Sequence, residues 1–481
     1  LFAVPFAVLQ HELAQARLGK GAQPVVKLKP GEFYSQTTLR QDIEDIEAKY
    51  GSIGYADVKI EPEMDVDTVA HTVSVTYRIT EGGPSHVRDV IITGNKKTQD
   101  HVIRRELSQH PGDLVDKGRI KSDQTRLLNM NYCEEGQVQI SPVSTGTEGL
   151  KDLQLKVAEK YTGSFSVGGG YSMDESAMAF AEWSQSNFDL FGYDNGFTGG
   201  GQRLRVRGQI GDVTSSGLVS FTEPWLFNRR LALQTDLFFT DRFYDTYTLN
   251  TRGVDLSLTK QFLGDWRQRF GVGLHQNTVD PNSRASEAIN DQEGSYWSNT
   301  LNLYIFRDLR NPSIMPREGS YYKIGGTYAT SALGSYADWV RADGQATYYQ
   351  PLTKAKDMVL KLNGEASASW GLSSDEDVLV FDRLFAGDGN DLRGFKWREV
   401  GPVDSEDEPL GGMARLVANA EYMYFIHRYF AVSAFFDAGN VWNSASDFSV
   451  SDVNADVGIG IQLTNKQFPI RLDYAFPIKT T

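Results

Sequence analysis

The sequence predicts a membrane β-barrel preceded by two small α+β repeats. Three observations point there. From Tyr161 onward, segments of about ten residues alternate apolar and polar side chains between turns and polar loops. Before that point, residues 29–60 and 110–140 resemble each other at an offset of about eighty residues. And no uninterrupted apolar run approaches the roughly 20 residues a transmembrane helix needs. A membrane chain of this kind must cross with strands.

Composition narrows the partners. The chain has 481 residues, 40% hydrophobic and 12% aromatic, with a net charge of −14. That charge argues against a nucleic-acid partner, because nothing here would track phosphates. The single cysteine, Cys133, excludes an intramolecular disulfide framework. The opening "LFAVPFAVL" lacks an initiator Met and a basic flank, so it is a poor signal peptide. It reads as the start of a trimmed chain, with Phe6, Leu9, Leu13 and Ala16 on one helix face.

Residues 1–82 and 83–160 read as the two repeats. In the first, "KPGEFYSQTTLRQDIEDIEAKYGSIGYADVKI" (29–60) has a Pro-Gly turn, an amphipathic helix with Leu39, Ile43 and Ile46, and then a strand. In the second, "HPGDLVDKGRIKSDQTRLLNMNYCEEGQVQI" (110–140) repeats that order with Ile120, Leu127 and Leu128 on its helix. Alternating strands follow at 71–80 and 150–159. The second unit also has a leading strand at 86–94 and a helix at 98–107, giving the order strand, helix, helix, strand, strand. The first unit lacks a leading strand, as if the chain begins inside it.

Residues 161–481 read as the barrel. Eleven strands are expected at 163–172, 176–187, 201–211, 215–224, 231–243, 248–262, 267–278, 295–307, 318–329, 336–350 and 357–372. A long sixth loop, 373–411, follows. Four more strands are expected at 412–426, 429–439, 453–464 and 469–478. Alternation alone suits a soluble sandwich as well. The membrane reading rests on the regular spacing, on Trp183, Trp225, Trp297, Trp339, Trp370 and Trp442 near strand ends as an interfacial girdle, and on Arg, Lys, Glu and Asp along the inner face. Fifteen is odd where bacterial barrels have even numbers, so a sixteenth strand is expected beyond Thr481.

The sixth loop holds "LRGF" (392–395) in a stretch rich in Gly, Asp and Asn. Later come "ANAEYMY" (418–424) and "FFDAG" (435–439). Alternation places Glu421 and Asp437 on the lumenal face if the hairpin joining their strands is centred near Arg428. The first strand contains Gly168, Gly169 and Gly170, which weaken an edge by entropy and by missing side-chain contacts. Close packing of these glycines against the sixth loop is the alternative reading.

Together these features resemble the BamA-type outer-membrane assembly factors. The repeats are similar to polypeptide-transport-associated (POTRA) domains. "LRGF" resembles the family's V/L-R-G-F/Y motif, and "FFDAG" its F-x-D-x-G strand. "SFTEPWLF" (220–227) resembles S-[FY]-T-[DE]-P, and "RDLRNPSIMPREG" (307–319) a turn in which Asn311 stands where Asp-Asn is usual. The resemblance implies a sixteen-stranded barrel in the bacterial outer membrane with periplasmic repeats. It implies that the sixth loop folds inside, where Arg393, Gly394 and Phe395 anchor it and Glu421 and Asp437 receive the arginine. It also implies a lateral seam at Gly168, Gly169 and Gly170. The implied partners are nascent outer-membrane β-barrel proteins, accessory periplasmic lipoproteins, and outer-membrane lipid and lipopolysaccharide. A TamA-like or two-partner secretion transporter shares the fold, and a porin or receptor pore would need neither repeats nor a tethered loop. No enzyme, cofactor or metal signature stands out: the seven histidines are scattered, with no H-E-x-x-H or G-x-S-x-G. The acidic run "DSEDEP" (404–409) reads as a solvated extracellular loop.

Overall fold

A computed structural model describes residues 26–29, 31, 33–312, 314–464 and 469–480. The helix face at Phe6, Leu9, Leu13 and Ala16 lies outside the described residues. The chain forms two compact units, residues 1–162 with 186–201, and residues 163–185 with 202–481.

In the first unit, Ser35 caps helix α1 (Gln36–Gly51), its hydroxyl accepting from the Thr38 amide at 3.3 Å. Leu39, Ile46 and Tyr50 point from α1 onto a hairpin of β1 (Lys59–Asp67) and β2 (Thr72–Thr80), burying Val58, Val75 and Tyr77. Ile43 packs at the edge of that cluster. Asp42 is fully buried but satisfied, accepting from the Lys27 and Leu28 amides and the Tyr77 hydroxyl.

The second repeat runs β3 (His86–Thr93), α2 (Asp100–Arg104), α3 (Lys117–Asn129), β4 (Cys133–Ser144) and β5 (Leu150–Glu159). Its sheet order is β3-β5-β4, with β3 parallel and β4 antiparallel to β5. Helix α2 is shorter than the 98–107 read from the sequence. Its successors, Leu107 and Ser108, turn away toward α3, where Asp123 accepts from the Ser108 amide at 2.9 Å. Asp116 caps α3 through the amides of Gly118 and Arg119. Val87, Val102, Val115, Ile120, Leu127 and Leu155 form a dry core.

Among the described residues, the second unit is an antiparallel sheet of fifteen strands in simple chain order. They are β6 (Gly163–Ser172), β7 (Ser176–Phe188), β8 (Gln202–Gly211), β9 (Thr214–Glu223), β10 (Leu231–Phe243), β11 (Tyr247–Leu263), β12 (Trp266–Pro281) and β13 (Gly294–Asp308). Then come β14 (Gly319–Ala329), β15 (Trp339–Pro351), β16 (Met358–Gly371), β17 (Ala414–His427), β18 (Phe430–Trp442), β19 (Asn454–Thr464) and β20 (Pro469–Lys479). Every strand expected from alternation is present, with ends shifted by three residues or fewer. The outward face is a belt of exposed Leu237, Phe239, Leu303, Ile324, Leu472 and Tyr474. So large an apolar surface faces lipid rather than water.

Two of the proposed girdle tryptophans are elsewhere. Trp339 is buried with Ala329, Val378 and Met413, under the sixth loop. Trp442 is buried against Phe448, ring centroids 4.9 Å apart. The strand-end position of Trp339 lies on the inward face, which the sixth loop covers, whereas Trp442 has the outward parity of Phe436 and is covered by the β18–β19 loop. Trp183, Trp297 and Trp370 are at least 40% exposed, and Trp225 sits half-buried in the β9–β10 turn.

Candidate functional site: a charged clasp inside the sixth loop

The loop between β16 and β17 folds on itself through isolated bridges, Leu384 with Gly412 and Ala386 with Val400. These hold Leu392, fully buried, and Phe395 in an apolar cluster with Ala386, Val400, Val417 and Val441. Arg393 therefore leaves the loop in one direction, toward the wall.

That wall is built by alternation. The β17–β18 register pairs Asn419 with Asp437 and Glu421 with Phe435, so the hairpin is centred on Arg428. Asn419, Glu421 and Asp437 consequently share the inward face, while Ala418, Tyr422 and Tyr424 face outward and are exposed. Arg393 Nε and Nη2 donate to the two oxygens of Asp437 at 2.6 and 2.7 Å. Its Nη1 faces Glu421 Oε1 at 3.3 Å. The planar guanidinium thus meets one carboxylate in a fork and a second at its tip, a geometry Lys cannot copy. The guanidinium carbon lies 3.3 Å from the Phe435 ring centroid. Only 4% of the arginine side chain is exposed, against 4% of Glu421 and none of Asp437.

Gly394 has a steric reason to be glycine. A Cβ there would lie 2.5 Å from Cβ of Asp456, on β19. Asp456 is fully buried and stands directly across from Asp437 in the β18–β19 register. It was not singled out in the sequence, although "NADVGIGI" places it on the face opposite Val457, Ile459 and Ile461.

More of the site escapes a motif search. Asn419 Nδ2 donates to Asp437 at 2.9 Å and to the Asp391 carbonyl at 2.5 Å, tying wall to loop. Arg415 bridges Glu365 and Asp391, each at 2.9 Å. Lys361 and Arg471 each lie 3.6 Å from Glu421, and Arg471 Nε contacts Asp473 at 2.6 Å. Glu421 thus lies against three cations from three places in the chain.

Gly168, Gly169 and Gly170 sit in β6, paired with Phe180, Ala179 and Met178 of β7. The nearest atoms to a Cβ at each belong to β7: the Phe180 ring at 2.8 Å, the Met178 carbonyl at 3.1 Å and Met178 Cγ at 4.0 Å. The alternative reading, in which these glycines make room for the sixth loop, is not what this packing describes. Among the described residues no ladder joins β6 to β20, and both strands are largely exposed. In the acidic run, Asp404 closes its own turn by accepting from the amides of Glu406 and Glu408.

Residues 22–82 and 85–160 match the POTRA family model, described as a surface antigen variable number repeat, and residues 196–481 match the Omp85 superfamily domain. The assembly factor BamA of Nitratidesulfovibrio vulgaris is 24% identical over 464 residues, covering 94% of this chain and 57% of that protein. BamA of Neisseria meningitidis serogroup B is 26% identical over 485 residues, covering 95% of this chain and 58% of that one. The chain therefore spans little more than half the length of these relatives. The crystal structure of Haemophilus ducreyi BamA lacking POTRA domains 1–3 superposes with a TM-score of 0.76 at 22% identity, covering 100% of this chain and 97% of that one. CdiB from Acinetobacter baumannii gives 0.52 at 15%, covering 94% and 80%. Likenesses at these identities speak for the fold. The barrel is an outer-membrane barrel and the repeats are periplasmic. With the family model covering more than half its length, this chain belongs to the Omp85 superfamily.

Proposed function

We propose that the protein is a non-enzymatic assembly factor that folds and inserts β-barrel proteins into the outer membrane. The observation that carries this reading is the pairing of POTRA repeats with an Omp85 barrel whose sixth loop is clasped to the inner wall through Arg393, in a chain whose relatives are named assembly factors. An exposed edge offers backbone donors and acceptors to an incoming strand, which would otherwise leave them unpaired in lipid. A lateral seam beside β6 supplies that template, and Gly168, Gly169 and Gly170 keep it weakly held. Residues 1–82 and 83–160 act as POTRA domains, receiving nascent barrels and docking accessory periplasmic lipoproteins. Residues 161–481 form the barrel, in contact with outer-membrane lipid and lipopolysaccharide. Within it Arg393, Gly394 and Phe395 anchor the loop 373–411 on Asp437 and Glu421.

Reconstitution in liposomes tests the proposal. The protein should accelerate folding of an unfolded barrel substrate, and a disulfide that closes the seam should abolish the acceleration without unfolding the barrel. Unchanged activity in the closed form would defeat the seam. The CdiB likeness keeps a TamA-like or two-partner secretion role as the second reading. Export of one passenger without general acceleration of barrel folding would favour it.

A further inference from the structure

Immediately after the arginine clasp, the loop presents a second cation to a different part of the wall. Arg398 has a left-handed backbone, φ 61°, which a non-glycine residue adopts only when its surroundings hold it there. Its amide donates to the Gly387 carbonyl at 2.8 Å. Its guanidinium lies 3.5 Å from the Phe385 ring centroid, 4.4 Å from Trp397 and 4.8 Å from Tyr244, and donates to the Tyr247 hydroxyl at 3.2 Å. Tyr244 stacks on Tyr247 at 4.4 Å and on Trp397 at 5.5 Å. Trp397 also meets Arg242 of β10, 4.0 Å from the ring and bonded to Glu175 of the β6–β7 turn at 2.6 Å.

The two ends of this short segment therefore hold different strands. Arg393 binds β17 and β18 and comes within 4.0 Å of Asp473 on β20. Trp397 and Arg398 hold Arg242 of β10, Tyr244 of the β10–β11 loop and Tyr247 of β11, and Arg242 in turn reaches the β6–β7 turn. We infer that Arg398, sandwiched among Phe385, Trp397 and Tyr244, is a second and independent tether of the sixth loop. With Arg393 it makes the segment 393–398 a strap between β10–β11 on one side and β17–β18 on the other. Cation–aromatic contacts gain strength where water is excluded, and Tyr247 is buried. The tether's bearing on insertion rests on the assembly role proposed above, whereas the tether itself does not.

Trypsin treatment of the folded, detergent-solubilised protein tests it, with cleavage after Lys396 followed by mass spectrometry. Cleavage reports how often the loop opens, so Arg398→Ala should speed it by about tenfold or more, and Arg398→Lys by no more than about threefold. If the tethers are independent, Arg393→Ala with Arg398→Ala should open the loop by at least the product of the single effects. An Arg398→Ala rate within about twofold of the parent, with the barrel folded, would overturn the inference. Should Arg398→Ala fail to fold, Trp397→Leu removes one face of the sandwich, and a parental cleavage rate in that variant would overturn it equally.

Discussion

The second repeat and the barrel bury opposite chemistry. The repeat closes over Val87, Val102, Val115 and Leu155, all nearly free of solvent. The barrel, beside its sixth loop, closes over Asp437, Asp456, Glu421 and Arg393. The reason lies in what each unit faces outside. The repeat meets water, so apolar groups gain by going in. The barrel wall meets lipid, its backbone groups are paired strand to strand, and its apolar side chains are already out of water. Its interior is therefore specified by pairing of charges and by shape. An apolar core degrades gradually as contacts are lost, whereas a buried charge left without its partner is costly at once.

That contrast can be broken or sharpened, beginning with the largest effect. Leu155→Ala should destabilise the second repeat by about 2–5 kcal/mol through lost burial and a residual cavity. Urea unfolding followed on the repeat should show it, while the barrel's heat-modifiability on gels stays unchanged. Loss of both together would mean the two units do not unfold separately.

Gly394→Ala should act the other way, on the barrel and not the repeats. The added Cβ meets Asp456 and must push the loop from the wall, at a cost of about 1–3 kcal/mol. A lower temperature for the gel-mobility transition is the expected result.

A smaller, pH-dependent effect is expected in the repeat. Burial pushes the Glu159 carboxyl up, but the amides of Thr98, Lys97 and Lys96, at 2.6, 2.8 and 2.8 Å, outweigh it and hold the carboxyl below its ordinary value. Its stabilisation is thus present above the unfolded-state pKa, about 4.3, and is lost as pH falls through the folded value. Glu159→Gln should lower the repeat's stability near neutrality and flatten its acid limb, the two proteins converging below the folded pKa.

The smallest effect is kinetic. Burial pushes the Cys133 thiol up to about 11, with Glu159 nearby adding to it. Iodoacetamide at pH 8 should leave it unmodified in the native repeat and label it once urea opens the core. Ready labelling of the native protein would show the core to be looser than described.

How much of this was legible beforehand follows the same division. Strands with a period of two announce themselves, and the inward placement of Glu421 and Asp437 followed from counting about Arg428. The Arg393 motif stood out because flexible residues surround it. Asp456, Asn419 and Arg415 did not, because their importance depends on where the loop lies, which no local period encodes. Trp339 was misplaced for the same reason, since a strand end under a folded-in loop is interior, and Trp442 because the β18–β19 loop lays Phe448 over it. The short helix at Asp100–Arg104 was overextended because residues 105–107 keep helical spacing while the chain turns. Arg398 carried a faint signal, an arginine within "FKWRE", with no indication of which aromatic rings would receive it.

The central claim is that the Arg393–Asp437 pair, inside the barrel, holds the sixth loop to the wall. A double-mutant cycle on barrel stability measures it most directly, using Arg393→Ala, Asp437→Ala and both together. Each single change leaves buried charge without its partner, so the account predicts a coupling of about 2 kcal/mol or more, with the double variant far less damaged than the sum. Additive effects, within about 0.5 kcal/mol, would contradict it.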